Sequence, residues 1–99
     1  MTKADLVEQV AEAIGPGVTK KDCALVVEGF LNAVKLALAN GENIEIRGFG
    51  TFNVRKRKTR VARNPRTGDP VDVPSRSVPV FKPSKHLRGR VAKLDEVSG

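Results

Sequence analysis

Seven basic side chains and no acidic one fall in the run from Arg55 to Arg66, Arg-Lys-Arg-Lys-Thr-Arg-Val-Ala-Arg-Asn-Pro-Arg. Cations at this density suit a polyanion with regularly spaced charges. Each one that meets a phosphate releases a condensed counterion, and arginine adds a planar fork for phosphate oxygens or groove-edge acceptors. The run closes in Asn64-Pro65-Arg66-Thr67-Gly68, a turn signal, in which Pro65 is rigid, apolar and without a backbone donor to desolvate. On charge alone, plainer readings stay open: a solvated face, an RNA-binding module or contact with an anionic surface. Catalytic chemistry has no support, because no nucleophile is paired with a base and no glycine loop is shaped to cradle a phosphate. The sequence therefore predicts no enzyme, no cofactor and no metal. The lone His86 reads as a surface group or an occasional phosphate contact, and the single cysteine, Cys23, as a small buried apolar residue.

The charge is unevenly placed. Residues 1–46 carry 4 basic and 7 acidic side chains, whereas residues 47–99 carry 14 basic and 4 acidic, so the halves differ as −3 and +10 within a total of +7. A polyanionic partner belongs to the second half, nucleic acid first and an anionic membrane surface second. No apolar run approaches the roughly 20 residues that span a bilayer, and the opening Met1-Thr2-Lys3-Ala4-Asp5 lacks the apolar core of a signal peptide. With one cysteine and hence no internal disulfide, the expectation is a soluble cytoplasmic chain.

The elements that must position these residues can be read from periodicity. Thr2 and Asp5 form a capping pair for a helix over Lys3 to Ile14, whose stripe is Leu6, Val10 and Ala13, widened by Val7, Ala11 and Ile14. Gly15-Pro16-Gly17 stops it. Thr19 and Asp22 repeat the cap for a longer helix to Asn40, stopped by Gly41. Its apolar positions Ala24, Val27, Leu31, Val34 and Leu38, joined by Phe30, Ala33 and Ala37, exceed what one short helix can cover. From Asn43 the period becomes two, with Ile44 and Ile46 on one face. Gly48-Phe49-Gly50 reverses the chain, and Thr51 to Val54 begins a second strand that runs into the basic segment. Residues 71–81 return as a strand, restricted to sheet edges or bulges by Pro70, Pro74 and Pro79. The basic segment is then the distal part of a long hairpin, mobile until a ligand holds it, because a two-stranded ribbon without an apolar face does not fold alone. Pro83 and Ser84 start a last helix to about Val97 with Leu87, Val91 and Leu94 inward, and Glu96 to Gly99 reads as a frayed tail.

Three motifs in order, Gly48-Phe49-Gly50-Thr51-Phe52, Arg63-Asn64-Pro65-Arg66-Thr67-Gly68 and Val78-Pro79-Val80-Phe81-Lys82-Pro83, carry a resemblance. Over essentially its whole length the chain resembles the bacterial HU and integration host factor family of histone-like DNA-bending proteins, a standard case of minor-groove bending. The resemblance implies an α+β fold: a helical hairpin base, a three-stranded antiparallel sheet with a long β-ribbon arm, a short C-terminal helix, and an intertwined dimer. As one domain over 1–99, it divides into the hairpin (1–41), the sheet (42–54 and 71–81), the arm (55–70) and the last helix (83–97). Arg55, Arg57, Arg60 and Arg63 fall where the family's arms are basic, Pro65 on the intercalating wedge and Lys85 on a phosphate contact. Lys3 touches phosphate from the base of the body. Lys58, Asn64, Arg66 and Arg76 complete the candidate DNA contacts. Phe30, Leu31, Val34, Phe49, Phe52 and Phe81 are candidates for core or dimer packing rather than base stacking, since they stand apart from the charge run.

The chain departs from the family's pattern at Ala62, where glycine is common and the arm bends more freely, at Ser84 in the strand-to-helix junction, and at Lys58 and Thr59, which replace small residues. None removes a residue that the bending mechanism requires. The implied function is weakly specific bending and compaction of double-stranded DNA in the nucleoid, by a homodimer or a heterodimer with a paralogous chain, without membrane or small-molecule partner. A subunit of integration host factor type, binding defined sites, is the alternative.

Overall fold

The structure, a computed structural model, describes residues 1–97. The elements are α1 (Lys3–Ile14), α2 (Lys20–Ala39), β1 (Ile44–Ile46), β2 (Gly50–Arg57), β3 (Arg60–Arg63), β4 (Pro70–Val73), β5 (Arg76–Pro83) and α3 (Lys85–Val97). They group into two compact units that divide inside α2, Met1–Leu36 and the chain from Ala37 onward.

The first unit is a helical hairpin with the expected caps. Thr2 Oγ1 accepts from the Asp5 N–H, and the Asp5 carboxylate accepts from the Thr2 N–H at 2.7 Å, a reciprocal capping box. Those bonds hold the Asp5 carboxyl below its ordinary pKa, the backbone bond contributing most and the side-chain bond next. Gly15 ends α1 at φ 92°, and Thr19 Oγ1 caps α2 by accepting from the Asp22 N–H at 3.1 Å. Val7 and Cys23 are the only buried hydrophobic residues of the described chain. Of the predicted α1 stripe, Leu6, Ala13 and Ile14 stand exposed in the single chain. So do Phe30, 54 % exposed, and Leu31, while Val34 is half-buried. One hairpin of this length has too little surface to fold back on its own apolar faces.

In the second unit α2 ends in a Schellman motif. Glu42 N–H donates to Ala37 O at 3.0 Å and Gly41 N–H to Leu38 O at 3.0 Å, with Gly41 at φ 79°. The following strands form a three-stranded antiparallel sheet in the order β1-β2-β5 and a separate two-stranded ribbon, β3-β4. Register fixes the faces. Phe52 opposes Ile44 on one side and Phe81 on the other, and Val54 opposes Pro79, so these residues share one face. Thr51 opposite Lys82, Asn53 opposite Val80, Arg55 opposite Val78 and Arg57 opposite Arg76 share the other.

The ladder also explains how β5 carries its prolines. Val54 N–H donates away from β5 to Asn43 Oδ1 at 3.0 Å, whereas Phe49 O accepts from Ser84 N–H. Odd-numbered residues of β2 therefore bond to β5, and Val54–Pro79 is a non-bonded pair in which the donor missing from Pro79 costs the ladder nothing. The same geometry brings Phe52 and Phe81 close, with ring centroids 4.9 Å apart. Phe49 adds a third ring 5.2 Å from Phe81.

Three readings are corrected. Residues 71–73, placed in the sheet by sequence, pair with β3 in the ribbon, while Arg55 to Arg57, placed in the arm, pair with β5 in the sheet. Pro74 lies in the gap and divides the returning strand in two. Pro83 is the last residue of β5 rather than a helix start; the cap of α3 is Ser84, whose Oγ accepts from the Leu87 N–H at 3.1 Å. In α3, Leu87 is half-buried, but Val91 and Leu94 are 55 % and 70 % exposed, because no element of the single chain covers that face. Glu96 and Val97 are helical, and the remainder of the predicted tail, Ser98 and Gly99, lies outside the described residues.

Candidate nucleic-acid interface

Three groups of cations lie in the second unit. On the face of the sheet opposite the phenylalanine rings stand Arg55, Arg57, Arg76 and Lys82, with Glu45 beside them at the β1 end. Lys82 was missed by sequence reading, yet its parity with Arg76, Val78 and Val80 along β5 would have placed it there.

At the end of that face, Glu45, Arg47, Thr51, Lys82, Lys85 and Arg88 surround an open hollow of about 330 Å³. Arg47 and Arg88 join the predicted Lys85 here. Arg47 is carried by the β1-β2 turn, where Phe49 N–H donates to Ile46 O at 3.0 Å and Gly48 sits at φ 80°. Ser84 fixes this turn to α3: its N–H donates to Phe49 O at 2.9 Å and its hydroxyl to Gly48 O at 3.1 Å.

The third group lies along the ribbon. Arg60 pairs with Val73, Val61 with Asp72, Ala62 with Val71 and Arg63 with Pro70. At its tip Asn64 N–H donates to Asp69 O at 2.9 Å and Gly68 N–H to Asn64 O at 2.8 Å, with Gly68 at φ 75°. Asn64 Oδ1 accepts from the Arg66 N–H at 2.8 Å, and Arg63 Nη1 donates to Gly68 O at 3.0 Å. Asn64 is half-buried in this network, and Pro65 and Arg66 are left exposed beyond it. The tip is thus a small closed turn that presents a ring and a cation. Of the side chains predicted to bind, Asn64 and Arg63 are partly spent on building it.

None of the basic residues from Arg55 to Arg66 is ion-paired among the described residues. Lys3 differs: its amine pairs with the Glu28 carboxylate in the helical unit and holds that carboxyl below its ordinary pKa, by hydrogen bonding first and charge second. No helix among the described residues is long and apolar enough to cross a membrane.

A family model described as bacterial DNA-binding protein matches residues 1–92. The chain belongs to that family. Among its relatives in the bacterial DNA-binding protein family, integration host factor subunit beta of Paraburkholderia phymatum is 50 % identical over 91 residues, which are 92 % of this chain and 84 % of that one. DNA-binding protein HU of Thermus thermophilus is 47 % identical over 93 residues, 94 % of each chain. Among solved structures, the Anabaena HU–DNA cocrystal structure superposes with a TM-score of 0.85 at 38 % identity, covering 93 % of this chain and 98 % of that one. The family resemblance read from the three motifs is therefore correct, and the α+β architecture of three helices with an antiparallel sheet is the one observed.

Proposed function

We propose that this chain is an architectural protein that bends and compacts double-stranded DNA with weak sequence specificity, acting over its whole length as one DNA-binding domain. The observation that carries the reading is the tip: a closed turn at the end of a cationic ribbon leaves Pro65 and Arg66 exposed together. A ribbon entering the minor groove sets Pro65 against a base step. Unstacking costs the DNA a few kcal/mol, offset by cationic contacts along the bent duplex. Because the minor groove shows a degenerate pattern of acceptors, selection rests on deformability and groove width. The Anabaena HU of similar fold was crystallised with DNA, which supports the ligand class.

In this reading Arg55, Arg57, Arg76 and Lys85 hold phosphates along the sheet and shoulder, and Lys58, Arg60, Arg63 and Arg66 do so along the arm. Asn64 shapes the tip. Lys3 joins them only when Glu28 releases it. The exposed Phe30, Leu31, Phe49 and Phe81 are covered by a second chain, identical or paralogous, in an intertwined dimer. The reading needs no catalytic residue, cofactor, membrane or small-molecule partner, and it places the protein with the nucleoid in the cytoplasm. The second reading, an integration host factor type subunit recognising defined sites, is favoured by the 50 % identity to subunit beta chains.

Fluorescence transfer across end-labelled duplexes tests the wedge. Pro65→Ala should reduce the bend while leaving affinity within about threefold, since the cationic contacts persist. An unchanged bend would refute the role given to Pro65. Strong preference for one short sequence over other deformable duplexes would favour the second reading.

A further inference from the structure

The last helix outruns the family match. The family model ends at residue 92, whereas α3 continues to Val97, so the turn from Lys93 onward lies outside what that model describes. Leu94 extends the stripe of Leu87 and Val91 and stands 70 % exposed. Lys85, Arg88, Arg90 and Lys93 make the helix basic, yet both of its acids, Asp95 and Glu96, fall in the last turn, which holds no basic residue. Carboxylates there meet the negative end of the helix dipole. The turn therefore gains from a cationic surface brought against it.

The helical unit holds such a surface. Residues 1–36 carry four basic and five acidic side chains, but one open hollow of about 470 Å³ reverses that balance. It is lined by the apolar Ala4, Val7 and Ala24 and by Lys3, Lys20, Lys21 and Glu28, three cations to one anion. Lys3 occupies the Glu28 carboxylate and Lys20 lies 3.9 Å from Glu8, while Lys21 has no ion pair among the described residues. An apolar cleft with a few charged groups suits a guest that has an apolar body and an anionic end. Leu94 with Asp95 has that composition. Since Leu94 stays exposed in the single chain, the guest comes from another copy.

We propose that the last turn of α3 docks in the α1-α2 groove of another copy of this chain, with Leu94 against Ala4, Val7 and Ala24 and the Asp95 carboxylate against the Lys21 amine. The contact needs both an acidic turn and a cationic groove, so it favours an identical chain over a partner that lacks either. No DNA takes part. The docking and the bending reading therefore stand or fall separately.

The test uses full-length chains labelled with 14N and with 15N, refolded together and treated with a carbodiimide, which joins a lysine amine to a carboxylate in contact. The Lys21–Asp95 product should appear in mixed-isotope form. Lys21→Glu puts an acid in the first turn of α2 and Asp95→Lys a base in the last turn of α3, so each suits its own helix dipole and neither should lower helical content. Either swap alone should move self-association, followed by sedimentation, to about tenfold higher concentration, as loss of one strong interface contact does. The double swap should restore it. Leu94→Ala should weaken association in the same direction. Cross-links of pure isotope only, association unmoved by the single swaps, or a double variant no better than the singles would each overturn the docking. A wild type that still bends DNA in any of those cases keeps the architectural reading and loses this contact alone.

Discussion

The Ser84 hydroxyl donates to Gly48 O at 3.1 Å while the same oxygen accepts from the Leu87 N–H at 3.1 Å. One side chain thus caps α3 and pins the turn that carries Arg47, so the cations around the shoulder hollow have fixed neighbours. Ser84→Ala removes both bonds and should destabilise the fold by about 1 kcal/mol, the usual cost of a lost N-cap. Ser84→Asp keeps the cap and loses the donor to Gly48. Thermal melts should place it between wild type and Ser84→Ala, and equal melting of all three would show that the hydroxyl holds nothing.

Gly50 is buried where β2 begins, and a Cβ built on it would stand 2.6 Å from both Lys82 O and the Phe81 ring. The oxygen belongs to a paired strand and cannot swing aside. Gly50→Ala should therefore cost about 1–3 kcal/mol, as overpacking does, and lower the urea midpoint. An unshifted midpoint would mean that β5 can move away from β2 at this point.

Acid should weaken the helical unit. Asp5 and Glu28 both have folded pKa values below their ordinary ones, Asp5 through its bonds with Thr2 and Glu28 through Lys3. A lowered carboxylate pKa stabilises the fold above the unfolded value, and that stability drains as pH falls through the lowered folded value. The loss should thus be confined to the region below the ordinary carboxylate range. Carbon-detected titration of Lys3→Gln should show the Glu28 pKa raised toward its ordinary value and leave Asp5 where it is.

Assembly offers the fourth test. Phe30, Leu25, Val26 and Leu36 are 54 %, 63 %, 70 % and 65 % exposed on α2 in the single chain, an apolar surface that soluble monomers rarely leave open. Sedimentation at micromolar concentration should give a dimer, and Phe30→Asp should dissociate or unfold it. A folded, stable wild-type monomer would contradict the assembly proposed above.

The helical hairpin was legible because its signals are local. Thr2, Asp5, Thr19 and Gly41 occupy cap positions whose chemistry reads directly from residue type, and the first helix was bounded at Lys3 and Ile14 as observed. The tip was legible for the same reason, from Asn64, Pro65 and Gly68. The division of the long hairpin was not. Arg55 to Arg57 read as arm from their charge, whereas their pairing with β5 depends on partners some twenty residues away. Arg47, Lys82 and Arg88 were missed because no run marks them; a turn, a strand parity and a helix start bring them together. Burial was overstated at Val91 and Leu94, since an amphipathic pattern says which face seeks cover and nothing about which molecule supplies it.

The pairing parity that excuses Pro79 has another outcome. Along β5 the backbone groups of Ser77, Pro79, Phe81 and Pro83 point away from β2, and two of those four residues are imino acids. The outer rim of the sheet therefore presents a gapped row of donors to any stray extended peptide. So interrupted a rim hinders one copy of the chain from being stitched, strand to strand, onto the next.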